Sequence, residues 1–347
     1  MTFKIFVTGA TGYIAGDALH LLAEKHPEYE YAALVRTEDK AKKVRDALPK
    51  VRIVLGSLDD SDVLRKEAAW ADLVLHAADA ADHEGAARAI AAGLVEGHSP
   101  TRPGYWLHTG GTGILTYFDS EADRLGEPTD KVFNDLEGVE EVTNLPDAAF
   151  HRNVDKIVLE CGTKHADSVR TALVCPPTIY GTGRGPVSGR GRQVYEMAKM
   201  VLKKGFAPIV GNGLAKWNNV HVYDLSQAYL LLTEAAASKN SSPEIWGARG
   251  YYFAENGEHV WGDLARLVAS KAHEMGLLKK AQGKPQDVQL SKDEALEFAG
   301  FEAVSWGMNS RSEAKRLKKT LEWNPVECSL EDEIQEILKV EAKSLGL

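Results

Sequence analysis

A chain of 347 residues with 44% hydrophobic content is long enough to bury one large core and a second, smaller one. Its 50 acidic side chains against 41 basic ones give a formal net charge of -9, so a nucleic-acid backbone is repelled on average and nucleic acid is not expected as a partner. No apolar run approaches the roughly 20 residues that cross a bilayer, and the first strand signal lies almost at Met1, so the expectation is a cytoplasmic protein with no membrane contact. Lys4 to Val7 is that first apolar run. Gly9 and Gly12 follow it, and then Ile14, Ala18, Leu21 and Leu22 recur at helical spacing on one face. Strand, glycine turn and amphipathic helix in that order make a phosphate site. Amides at the helix start and the helix dipole hold a pyrophosphate, and the two glycines keep Cβ atoms out of its way. A dinucleotide is therefore expected against Gly9, Thr11, Gly12, Tyr13 and Ile14.

Further along, the spacing predicts strands at Tyr31 to Val35, Val51 to Leu55, Leu73 to His76, Tyr105 to His108 and Thr171 to Cys175. Helical stretches such as Asp60 to Ala69, Gly85 to Glu96 and Asn153 to Lys164 separate them. The resulting fold class is α/β: a Rossmann-type, doubly wound sheet of six parallel strands. At the end of the second strand, an Asp or Glu would accept hydrogen bonds from the ribose of NAD, whereas an Arg accommodates the 2′-phosphate of NADP. Arg36 stands there with Lys40 one turn later, so NADP(H) is the expected cofactor and NAD(H) the alternative. Leu58 and Asp59 fall where the adenine edge would lie, although Asp59 is equally suited to capping the next helix.

The composition shifts at the glycine- and arginine-rich stretch Gly181 to Arg192, which reads as a mobile loop. It divides residues 1–180, the dinucleotide domain, from 181–347, a smaller substrate lobe partly interleaved with it. Arg184, Arg190 and Arg192 border the cleft or simply face solvent. His221 and Asp224 fit a strand end and a helix cap, and Trp261, Trp306 and Trp323 are expected to pack the smaller lobe. Cys161, Cys175 and Cys328 stand far apart without CxxC pairing, which fits reduced thiols and offers no metal framework.

Several segments carry a resemblance to the extended or atypical short-chain dehydrogenase/reductases of the NAD-dependent epimerase/dehydratase superfamily. "TGATGYIAG" resembles the family's TGxxGxxG turn, with Ala15 at the third glycine. "HAADA" (His76 to Ala80) sits where the fourth strand meets the cofactor, "VCPPTIYGTG" (Val174 to Gly183) is similar to RPxxVYGPG, "NNVHVYDLSQAYLLL" to the VHVDDLAxA element, and "LEWNPV" to LGWxP. The resemblance implies cofactor contacts from Ala77, Ala78, Asp79, Pro176, Thr178 and Ile179.

It also implies a Tyr-x-x-x-Lys helix, and "FHRNVDKIVLECG" (Phe150 to Gly162) has no tyrosine. One register keeps Lys156 on the ribose and leaves Arg152, which cannot donate a proton usefully, at the tyrosine position. The other puts His151 at the tyrosine and Asp155 at the lysine, and His151 could then transfer the proton. Thr109 and Thr112 take the place of the family's Ser pair in holding a substrate oxygen. The candidate catalytic set is thus Thr109, Thr112, His151 and Lys156. An NADPH-dependent reductase of a carbonyl-type small molecule is the leading reading. A redox-neutral epimerase, dehydratase or isomerase and a non-enzymatic NADP(H) sensor resembling the NmrA-like branch are the alternatives. A homodimer is compatible with the family.

Overall fold

The computed structural model describes residues 2–278 and 283–347. Seven apolar runs form one parallel sheet: β1 (Lys4–Thr8), β2 (Glu30–Val35), β3 (Arg52–Leu55), β4 (Leu73–His76), β5 (Gly104–Thr109), β6 (Val169–Cys175) and β7 (Tyr251–Phe253). Their order is β7-β6-β5-β4-β1-β2-β3. The sequence reading expects six strands. The seventh is only three residues long, too short for periodicity to register, and it is defined by its partners. Tyr251 to Phe253 align with Leu173 to Cys175, and the Phe253 amide donates to the buried Asp135 carboxylate at 2.8 Å.

Helices α1 (Tyr13–Lys25), α2 (Glu38–Ala47), α3 (Ser61–Trp70), α4 (Glu84–Gly97) and α5 (Arg152–Lys164) make the crossovers. β1 lies between β4 and β2, so the winding reverses there and a crevice opens beyond the carboxyl ends of β1 and β4. β4 and β5 are buried on both faces, as expected for strands covered by helices on each side.

Beyond β6 the chain builds α6 (Gln193–Lys204), α7 (Val222–Ala237), α8 (Trp261–Glu274) and α9 (Leu330–Ser344). α6, α8 and α9 enclose a separate apolar core containing Trp261 and Trp306. α7 belongs instead to the sheet's core, through Leu225, Ala228, Tyr229 and Leu232. Trp323 also belongs there, contrary to the expectation from sequence, and its indole N–H donates to the Asp224 carbonyl at 2.9 Å. Asp224 does not cap α7. Its carboxylate accepts from the Val326 and Glu327 amides, and the α7 cap is His221, whose Nδ1 accepts from the Tyr223 amide at 3.1 Å. The acidic stretch between Phe118 and Ala149 packs against residues 307–316: Phe133–Asn134 pairs with Ser312–Glu313, and buried Asp119 accepts from the Asn309 amide.

The Gly181–Arg192 loop is pinned rather than loosely solvated. Asp17 of α1 is fully buried and accepts from the Arg184 guanidinium at 2.6 Å, from the Arg184 amide at 2.7 Å and from the Ser226 hydroxyl at 2.6 Å. Arg184 also lies over the Tyr223 ring at 3.9 Å. Three segments distant in sequence thereby meet at one carboxylate. Removing one partner of such a pair leaves a poorly solvated charge, so Asp17→Ala should lower unfolding stability by about 2–4 kcal/mol. Urea denaturation followed by circular dichroism measures this, and a loss below about 1 kcal/mol would contradict the role assigned to Asp17.

Candidate active site

The glycine turn after β1 has the geometry that a close ligand approach requires. Gly9 takes φ +83°, and a Cβ there would lie 2.9 Å from the Ala77 carbonyl carbon and the Ala78 nitrogen. The Gly12 amide closes the turn on the Gly9 carbonyl at 2.7 Å. Gly12 is the N-cap of α1, so the first-turn amides that follow have no intrahelical acceptor. The Thr8 hydroxyl oxygen accepts from the Ala77 and Ala78 amides, which leaves its proton for His76 Nδ1, 2.7 Å away, and ties β4 to the turn. Gly12, Tyr13, Ile14, Ala77 and Asp79 line one end of a cleft of about 700 Å³. Thr11 and Ala78 lie half-buried beside it in the same turns, outside its lining. The Tyr13 hydroxyl donates to the Gly181 carbonyl at 2.5 Å, fastening the pinned loop to the helix start.

At the end of β2, Arg36 is exposed and makes no ion pair among the described residues. Lys40 lies in the first turn of α2, where its amide donates to Thr37. Leu58 is half-buried after β3. Asp59 is exposed and contacts His83 Nε2 at 3.2 Å. Asp60, not Asp59, precedes α3 as its N-cap.

The other end of the cleft brings together Thr112, His151, Pro176, Ile179 and residues of the second lobe. His151 sits immediately before α5 with φ +68°, a conformation uncommon outside glycine, which turns the ring back over the cleft floor. Its Nδ1 is 2.8 Å from the Asp82 carboxylate. A carboxylate only accepts, so Nδ1 carries a proton and Nε2 is the atom left to exchange one. Nε2 faces the glycine floor: Cβ atoms at Gly111 and Gly113 would lie 3.4 and 3.5 Å from it. Thr112 is fully buried on the same floor, and its hydroxyl has no protein partner. Thr178 is buried below, bonded to Gln193 at 2.8 Å.

Two of the sequence candidates are not brought to this point. Thr109 is buried, with its hydroxyl 2.6 Å from that of Tyr229. Lys156 faces the opposite side of α5, paired with Asp147 at 2.8 Å in a surface depression that also includes Glu84 and Arg88. The α5 side chain one turn after His151 that points toward the floor is Asp155, with Oδ2 3.4 Å from the Tyr251 hydroxyl and Oδ1 unpaired beneath Gly110. Helical geometry dictates this: positions 151 and 155 share a face, and 156 is rotated away. Asp82, Phe150 and Phe301 belong to the cleft and are absent from the sequence candidates. Asp82 lies two residues after the fourth-strand motif and Phe150 precedes His151, so proximity in sequence was an available signal for both; Phe301 had none.

Under the floor lie more ionisable groups. His76 and His108 are fully buried with ring centroids 5.4 Å apart. Burial pushes His76 down to about 3 and His108 well below the usual imidazole range. The Cys175 thiol, also fully buried, is pushed well up by desolvation. Arg190 is paired with Glu341 and Glu196, and Arg192 with Glu302, so the loop arginines reach the cleft wall already paired with carboxylates. His221, Cys328 and Glu333 converge elsewhere, but His221 Nδ1 accepts an amide proton, which puts the neutral ring's own proton on Nε2 and leaves no lone pair there for a metal.

These features define a nicotinamide-dinucleotide-binding α/β protein, and residues 9–98 match the family described as NAD(P)H-binding. A protein of Acremonium sp named oxidase ucsJ is 43% identical over 353 aligned positions covering 100% of both chains. Among solved structures, dTDP-glucose 4,6-dehydratase from Bacillus anthracis in complex with NAD superposes with a TM-score of 0.67 at 15% identity, covering 99% of this chain and 97% of that one. UDP-glucose 4-epimerase from Thermotoga maritima with UDP-glucose gives 0.66 at 16% identity, covering 99% and 100%. The chain belongs to the same family as that Acremonium protein, and its fold is the one shared by these dehydratase and epimerase structures. No helix among the described residues is long and apolar enough to cross a membrane.

Burial raises the Asp155 carboxyl from 3.8 to about 6. The folded protein thus keeps a proton that the unfolded chain releases, and the stability tied to that proton is lost as pH rises through about 6. Asp155→Asn removes the titration. Its stability relative to the parent should therefore increase from about pH 4 to about pH 8, by up to about 3 kcal/mol. Urea midpoints at the two pH values test this, and an unchanged difference would show that Asp155 ionises freely.

Proposed function

We propose that the chain is an NADP(H)-dependent oxidoreductase acting on a carbonyl or alcohol of a small molecule, with His151 moving the proton. The observation that carries this reading is the His151–Asp82 pair, 2.8 Å apart, with Nε2 left free over the glycine floor. A bound nicotinamide supplies or accepts the hydride in such chemistry. The residues present fit that cofactor: a Cβ at Gly9 would strike the opposite turn, and the α1 amides are open to phosphate. Arg36, without a carboxylate partner, is the group for the 2′-phosphate.

His151 gives a proton from Nε2 to the substrate oxygen in reduction and takes one in oxidation. Asp82 fixes the tautomer and steadies the charged ring. The unpartnered Thr112 hydroxyl donates to the same oxygen. The name of the Acremonium relative supports redox chemistry over a redox-neutral reaction. A non-catalytic NADP(H) sensor is the second reading. It is favoured by one observation: α5 has no tyrosine and turns Lys156 away from the cleft, so the ribose has no lysine there.

The test is a single-turnover experiment with protein in excess over NADPH and a panel of aldehydes and ketones, following nicotinamide absorbance. His151→Gln should lower the rate by about 10²- to 10⁴-fold with cofactor affinity retained. No oxidation by any panel member, with tight NADPH binding, would favour the sensor. Arg36→Ala should reduce the ratio of NADPH to NADH affinity by about ten- to a hundredfold. An unchanged ratio in direct titrations would remove the basis for preferring NADP(H).

A further inference from the structure

The lobe end of the cleft has a chemical character that none of its relatives' names states. Phe150, beside His151, and Phe301, from the second lobe, meet with ring centroids 4.8 Å apart, and the Phe150 ring lies 3.7 Å from that of His151. Both phenyl groups remain 38–40% exposed although their neighbours on the cleft wall, Pro176, Pro177 and Trp217, are buried. Large aromatic side chains left in water next to a proton-transferring group mark a surface that a ligand covers.

The charges on this wall disfavour an anionic ligand. Arg190 is held by Glu341 and Glu196, and Arg192 by Glu302. The remaining charged lining groups of the cleft, Asp82 near this end and Asp79 at the other, are carboxylates. A sugar diphosphate or a carboxylate would need an unpaired cation at this end, and the lining offers none. Two buried donors on this wall, the Thr112 hydroxyl and the Trp217 indole N–H, have no protein acceptor. Such a site suits a flat apolar body bearing one acceptor oxygen.

We infer that the substrate is an uncharged aromatic carbonyl compound, its ring packed against Phe150 and Phe301 and its oxygen directed to Thr112 and His151. The carbonyl part rests on the redox reading above, whereas the aromatic, uncharged part rests on the rings and the paired arginines alone.

Isothermal titration of the NADPH-saturated protein with four probes tests this: 2-acetylnaphthalene, its carboxylate analogue 6-acetyl-2-naphthoate, cyclohexyl methyl ketone and UDP-glucose. The naphthyl ketone should bind at least about tenfold more tightly than each of the others. Phe301→Ala and Phe301→Leu should both weaken it by at least about fivefold, the leucine variant guarding against collapse of the site. Glu302→Gln, which frees Arg192, should narrow the discrimination against the naphthoate. Equal or tighter binding of the naphthoate, UDP-glucose or the cyclohexyl ketone overturns the inference. So does undiminished binding in both Phe301 variants, or no binding of the naphthyl ketone at millimolar concentration.

Nicotinamide absorbance recorded on the same samples separates the two claims. Tight naphthyl binding without NADPH oxidation upholds the substrate class and counts against the redox reading. Oxidation driven by the naphthoate or the cyclohexyl ketone in preference to the naphthyl ketone does the reverse.

Discussion

One buried carboxylate organises the relation between the two halves of the molecule. Asp17, in the middle of the first helix, has no exposed surface and is satisfied by the Arg184 guanidinium and amide and by the Ser226 hydroxyl. A charge without water must be met by fixed donors or it neutralises, so the loop that supplies Arg184 cannot drift. Because that loop is fixed, Gly181 is in reach of the Tyr13 hydroxyl, and Arg190 and Arg192 arrive at the cleft wall in defined positions. The glycine turn and the second lobe are thereby coupled through the first turns of one helix.

The parts of this arrangement that were legible in sequence are those where local pattern and tertiary role coincide. Strand, glycine turn and helix at the start of the chain read correctly because each uses its own periodicity and because φ > 0 at Gly9 demands glycine. The α5 register was not legible. His151, Asp155 and Lys156 are all polar, and periodicity does not say which of two adjacent polar residues faces inward when the inward face is itself partly polar. Asp155 is a carboxylic acid in a position that a hydrophobic pattern would never assign to the interior. β7, Trp323 and the Asp224 contacts escaped for a different reason: each is defined by a partner far away in sequence, and Trp323 returns to the main core after the second lobe has been built.

The cleft departs in a physically coherent way from the Tyr-x-x-x-Lys pattern that the resemblance in sequence implies. In that pattern a neighbouring lysine lowers the phenol pKa of the tyrosine that acts as the acid. Histidine needs no such neighbour, since its unperturbed range already spans neutrality, but it does need a fixed tautomer. Asp82 supplies that from a loop after β4, and the left-handed turn at residue 151 aims the ring. With no cation required one turn further on, position 155 carries a buried acid packed under Gly110 and against Tyr251 instead.

The buried histidines have a consequence for the whole molecule. His76 and His259 are each pushed down to about 3 by burial, His221 to about 4, and His108 well below the usual range. Each stays neutral in the folded state at a pH where the unfolded chain would bind a proton. Below about pH 6.5 every such ring draws the equilibrium toward the unfolded chain, by about 1.4 kcal/mol per pH unit until its folded pKa is reached. Four rings acting together weaken the fold as the medium becomes acid, independent of whatever chemistry the cleft performs.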